Sequence, residues 1–193
     1  PELAGSGEWI RKHFDTYGLT ATIKGSYDSD DINEYLRSPI ELGWGRSIRF
    51  DHDFVGRAAL EREIADPQRV RVTLEFDSDD VIAIYASLFA DDEPYQFLDI
   101  PHGQRWIAWS DKVIDEHDAV VGLSTNPGYS AYFHKVLALA YVRPDMAEPG
   151  TVLTLIWGDP GTRQKRIRVT VAPAPYKTDN RRADLSAIAA APS

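Results

Sequence analysis

The chain contains no cysteine, so its 193 residues can form no disulfide, thiolate metal site or cysteine nucleophile. That absence fits a reducing compartment, and a cytoplasmic location is expected. Positive charge is also in short supply. The 21 Lys and Arg stand against 30 Asp and Glu, giving a formal net charge of −9 and a pI near 5.0. Such a surface repels a phosphate backbone, which argues against nucleic acid as a partner but leaves room for a local basic pocket. No apolar run approaches the roughly 20 residues needed to cross a bilayer, so no membrane partner is expected. The opening "PELAGSGEWIRKHF" has neither an initiator Met nor the basic-then-apolar pattern of a signal peptide, and it reads as the middle of a longer protein.

Several common chemistries are missing as well. His13, His52, His102, His117 and His134 form no H-x-x-H or H-E-x-x-H arrangement, so no metal is expected. Gly43 and Gly45 begin a G-x-G pattern, but Ile48 stands where its third glycine belongs. "TNPGYS" places Ser130 after a turn, without the strand-turn-helix setting of a nucleophile elbow. The carboxylate pairs Asp30/Asp31, Asp79/Asp80 and Asp91/Asp92 read as helix caps and solvated loops. Trp106 and Trp109 read as core or barrel packing. No catalytic residue is nominated.

What the chain does have is enough apolar matter for a core, with 43% hydrophobic and 11% aromatic residues. Its length suits one sizeable domain, or a small domain plus part of another. In residues 8–17 the spacing of Trp9, Ile10, Phe14 and Tyr17 predicts a helix, with Gly18 as its stop. "LTATIKG" reads as a short strand, and "SDDINEYLRSP" as a helix capped by Ser29 and ended by Pro39. "GRSIRF" (45–50) reads as a strand. A helix then starts at Asp53 or Gly56, with Ala58, Ala59, Leu60 and Ile64 as its buried stripe. Pro67 marks a boundary near residue 68.

Beyond that boundary the period changes to two. "RVRVTLEF" alternates Val70, Val72, Leu74 and Phe76 against polar neighbours. "DSDDVIAIYASLFA" is a capped helix. Residues 93–115 read as irregular and aromatic, with strand content, and "AVVGLSTNPGYSAYF" as a strand and a turn at 126–128. "KVLALAYVRP", "GTVLTLIWG" and "RIRVTVA" are strands, the last two joined by the hairpin turn "DPGTRQK". Short strands at this spacing predict a small antiparallel barrel or sandwich. The tail at 179–193 has no clear place in a core.

The stretch "SPIELGWGRSIRFDHDFVGRAALE" resembles a junction in the glycine-cleavage T-protein (aminomethyltransferase) superfamily. "RVRVTLEF" is similar to the first strand of that family's C-terminal barrel. "VVGLSTNPGYSAYFHKVLALAYVRPDMAEPGTVLTLIWG" resembles the barrel core, and "RIRVTVAPAPY" its terminal strand and Pro-aromatic exit. The likeness covers roughly residues 38–178. The character of "RFDHDFVGRAALERE", "EPYQFLDIPH" and "WGDPGTRQKRIR" is similar to one branch, the tetrahydrofolate-dependent O-demethylases of methoxyaromatics such as vanillate and syringate.

The resemblance implies an α+β fold. Residues 1–68 would be the end of an α/β folate-binding domain, residues 69–178 a small antiparallel C-terminal β-barrel, and residues 179–193 a tail. It implies an enzyme that passes a one-carbon unit from a methyl donor to tetrahydrofolate, its catalytic group lying in N-terminal domains that this chain does not include. His52 stands where T-proteins carry a folate-holding Arg, and Arg49 is placed to compensate. Lys177 matches a basic residue near the folate glutamate, with Arg181 as fallback. The alternative is a non-catalytic binding or interaction module that complements a separate catalytic chain.

Overall fold

The computed structural model of the chain describes residues 22–100, 107–125 and 127–177. The expected helix at 8–17, Trp106, Arg181 and the 179–193 tail lie outside them. The alternating segments close into a barrel of six antiparallel strands: β2 (Val70–Phe76), β4 (Asp111–Ile114), β5 (Val120–Ser124), β7 (Lys135–Val142), β8 (Val152–Trp157) and β9 (Lys165–Ala172). Around the wall the order runs β2-β9-β8-β4-β5-β7, and β7 pairs back onto β2 through six registered pairs, Val70↔Val142 to Glu75↔Leu137. The short β6 (Gly128–Ser130) lies against the other end of β7.

The two-residue period explains the core. Val72, Leu74 and Phe76 point inward from β2, Val136, Ala138, Ala140 and Val142 from β7, and Leu153, Leu155 and Trp157 from β8, while Ile167, Val169 and Val171 of β9 meet them. Removing this much apolar surface from water is the main stabilising term of the fold. Between β2 and the rest, helix α2 (Ser78–Ser87) is capped by Asp77, whose carboxylate accepts from the Asp79 and Asp80 amides at 3.1 Å. It sends Val81 and Ile84 into the same cluster.

Residues 22–68 behave differently. Strand β1 (Thr22–Lys24) pairs in parallel with β3 (Ile107–Trp109) as a two-stranded ribbon outside the barrel sheet. The helix expected from "SDDINEYLRSP" is only a 3-10 turn at Ile32–Tyr35, capped by Asp31 rather than Ser29. Pro39 and the competing Asp and Asn side chains allow no longer run. The strand expected at 45–50 is absent. Gly45–Ser47 form another 3-10 turn, and among the described residues no neighbouring strand offers hydrogen bonds to this segment. Helix α1 (Arg57–Ala65) starts at Gly56, whose φ of 92° suits glycine, and not at Asp53. Its expected stripe is not buried: Ala58 and Ala59 are exposed, and Ile64 is 50% exposed. Leu60 is half-buried, so among the described residues this face is only partly covered.

Candidate functional site

Among the described residues, clefts at opposite ends of β2 bring charged side chains together. One lies where residues 27–34 and 68–69 meet β5, a cavity of about 450 Å³ lined by Tyr27, Glu34, Arg69, Leu123 and Arg143 among others. Polar contacts hold this junction. Arg69 Nε donates to Glu41 Oε1 at 2.5 Å, and the Ser38 amide donates to Glu41 Oε2 at 3.0 Å. Arg71 donates to the Leu42 carbonyl, and the Arg37 guanidinium stacks 4.8 Å above the Tyr141 ring. The Tyr27 phenol is pushed up to about 12, by partial burial first and then by its bond to Glu34.

The second cleft, about 400 Å³, lies at the opposite end of β2 beside Glu75, Asp77, His134, Lys135 and Arg168. Lys135 and the Tyr176 hydroxyl both donate to Glu75. Burial works to raise the Glu75 carboxyl, but these two donors outweigh it and hold it below the usual carboxylate range. The same bonds raise Lys135 and Tyr176. Arg168 is occupied by Asp77 at 3.1 Å and Asp80 at 3.3 Å. Charge in this cleft is therefore largely compensated.

The nominated residues fall outside both clefts. His52 is exposed just before α1, with its Nδ1 2.9 Å from Asp51 Oδ1 and its ring 5.6 Å from that of Phe54. Arg49 is exposed on the segment leading there. Lys177 lies beyond β9, with Nζ 4.6 Å from the centre of the Tyr132 ring. Among the described residues, no hydrogen bond or ion pair joins Lys177 to Arg49 or His52.

Sequence reasoning missed Asp111, which is wholly buried at the start of β4. A signal was present, since Asp111 shares the two-residue period of the inward Val113. It also missed Glu75, Lys135 and Tyr176, which are distant in sequence and meet only through the β2–β7 pairing. Among the described residues no group of His, Asp or Glu could hold a metal ion, and no helix is long and apolar enough to cross a membrane.

No protein-family profile matches the chain. Individual proteins do. It is 35% identical over 171 residues to a syringate O-demethylase from a Sphingobium species, an alignment covering 83% of this chain and 37% of that protein. It is 38% identical over 156 residues to a sesamin methylene transferase from a Sinomonas species, covering 76% of this chain and 34% of that protein. Over most of its length the chain is thus similar to an O-demethylase and a methylene transferase. It spans about a third of the length of the curated relatives it matches. A solved aminomethyltransferase T of the glycine cleavage system from Bartonella henselae superposes with a TM-score of 0.47 at 20% identity, over 72% of this chain and 32% of that one.

Proposed function

We propose that this chain is the barrel-bearing part of a tetrahydrofolate-dependent methyltransferase of the O-demethylase type, which moves a methyl group from a donor such as a methoxyaromatic acid to tetrahydrofolate. The observation that carries this reading is the 35% identity to a syringate O-demethylase across 83% of the chain. In this reading residues 1–68 close the folate-binding domain, residues 69–178 are the C-terminal barrel and residues 179–193 a tail. The catalytic group comes from further domains. The greater length of the relatives supports those domains. So does the apolar surface left open on residues 22–68, where Trp44 is 61% exposed and Val55 fully so.

The residues present fit one end of tetrahydrofolate. Its glutamate carboxylates call for cations, and Arg49 and Lys177 are exposed cations, the latter beside the Tyr132 ring. His52, already bound to Asp51, fits less well as a direct carboxylate partner and better as a positioning group. The chemistry tetrahydrofolate supplies when bound is acceptance of the one-carbon unit at N5. The part of this chain is to hold the polar tail and to wall the site from water.

The test is calorimetry with tetrahydrofolate on the longer protein, together with methyl-transfer assays on syringate and vanillate. Arg49→Ala and Lys177→Ala should each weaken tetrahydrofolate binding about tenfold, in line with loss of one charge-assisted contact, and His52→Ala should weaken it less. The 193-residue chain alone should show no turnover. Turnover by the isolated chain would place catalysis within it, and unchanged affinity in all three variants would remove these residues from the folate site.

A further inference from the structure

The most unusual packing in the molecule is the insertion of Ser26 into the barrel wall. The β4–β8 ladder is registered at Val113↔Leu155 and Ile114↔Thr154 and goes no further. One residue beyond, Ser26 takes its place. Its Oγ donates to the Ile156 carbonyl at 2.6 Å and accepts from the Lys112 amide at 2.8 Å, bridging the two strands from outside their own sheet. Beside it, two carboxylates grip successive amides of the inserted segment. Gly25 N–H donates to Asp159 Oδ1 at 2.8 Å, and Ser26 N–H donates to Asp111 Oδ1 at 3.0 Å. The approach is too close for a side chain. A Cβ on Gly25, whose φ is 109°, would collide with the Ser110 carbonyl and reach 2.9 Å from Asp111 Oδ1.

One atom in this arrangement has no partner. Asp111 is wholly buried, and its Oδ2 meets no donor. An ionised carboxylate with an orphaned oxygen in a dry core is strongly disfavoured, whereas a carboxylic acid at the same place carries no net charge. The groups around it do not rescue the anion. From the β8–β9 turn comes Asp159, a second carboxylate. From β1 comes Lys24, but its ammonium lies 3.9 Å from Asp159 Oδ2, not on Asp111. From β5, the residue opposite Asp111 is Ser124, which is uncharged.

We propose that residues 24–27 are fastened to the barrel by a proton-coupled latch: the Asp111 carboxyl carries a proton while Ser26 sits in the seam, and gives it up to water when the segment lifts out. Burial first, with the Asp159 charge adding to it, pushes Asp111 up to about 7 in the closed seam, against the opposing bond from Ser26. Freed into water, the same carboxyl returns to roughly 3.9. Its carboxyl thus holds its proton more tightly in the closed form, so closure is favoured at low pH and weakens as pH rises between these two values. Each opening event releases one proton. The opening equilibrium therefore grows by up to about tenfold per pH unit between roughly pH 4 and pH 7, and levels off above.

Hydrogen exchange of the Gly25, Ser26 and Lys112 amides, corrected for intrinsic chemistry and followed from pH 5 to 8 on the intact chain, tests the latch. The wild type should show that tenfold-per-unit rise followed by a plateau. Asp111→Asn, a neutral mimic of the acid, should remove the slope while keeping the amides protected. An unchanged slope in Asp111→Asn, or no slope in the wild type, overturns the proposal. If the variant does not fold, carbon-13 titration of the wild-type Asp111 carboxyl decides. A midpoint near 7 supports the latch, and a midpoint near the ordinary aspartate value overturns it.

Discussion

The barrel and the segment before it are built on opposite principles. Residues 69–177 bury a continuous apolar cluster drawn from every strand of the wall. In residues 22–68 the buried side chains are polar, Ser26 and Glu41, and the large apolar ones (Trp44, Val55, Ile64) face outward. The first region is stable because water is excluded from it. The second is attached to the first by directed polar contacts and keeps its hydrophobic surface available. A unit whose own core is complete can carry an incomplete neighbour, provided that hydrogen bonds fix where the neighbour sits.

The largest effect should come from breaking the barrel itself. Leu155→Ala removes a fully buried side chain from β8 and should cost about 3 kcal/mol, read as a lower urea midpoint with unchanged slope. Next comes the junction. Arg69→Ala strips Glu41, only 7% exposed, of its charged partner and should cost about 2 kcal/mol. If the attachment is local, amide exchange will rise in residues 36–43 and not in the core strands. A loss confined to the barrel would erase the contrast drawn above.

Smaller still is the acid response of Asp80. Burial tends to raise its carboxyl, but Lys165 and Arg168 outweigh that and hold it below the ordinary value. A depressed carboxylate contributes stability that is present above its unfolded value and lost as pH falls through the folded one. Asp80→Asn should therefore lower the thermal midpoint at pH 7 by a few degrees, corresponding to about 1 kcal/mol, and the difference should shrink as pH falls below the ordinary aspartate range. The smallest effect belongs to the open face. Val55→Ser should shift the stability of this chain by less than about 0.5 kcal/mol, yet destabilise a longer protein in which that face is covered. An equal effect in both would mean the face is not an interface.

The sequence disclosed the barrel far better than the site. Strict alternation in "RVRVTLEF" and "RIRVTVA" pointed to inward Leu74, Phe76, Ile167 and Val169, because a strand half-buried in a core has only one way to divide its side chains. The helix-like spacing in 57–65 was equally clear, but spacing reports which residues share a face and not what covers that face. The segment 45–50 carried Ile48 and Phe50 with no ladder partner, and propensity alone did not make it a strand. Glu75, Lys135 and Tyr176 are joined by closure of the wall, which no local pattern encodes. Asp111 was within reach of the alternation argument, though its orphaned oxygen depends on Ser26, 85 residues away.

Because β7 returns to β2, the wall has no long unpaired strand. Among the described residues only the three-residue β6 and the β1–β3 ribbon present free edges. Edges that short make poor templates for another chain to add on in register. Even with apolar side chains displayed on residues 22–68, the described residues thus give strand-by-strand addition little edge to build on.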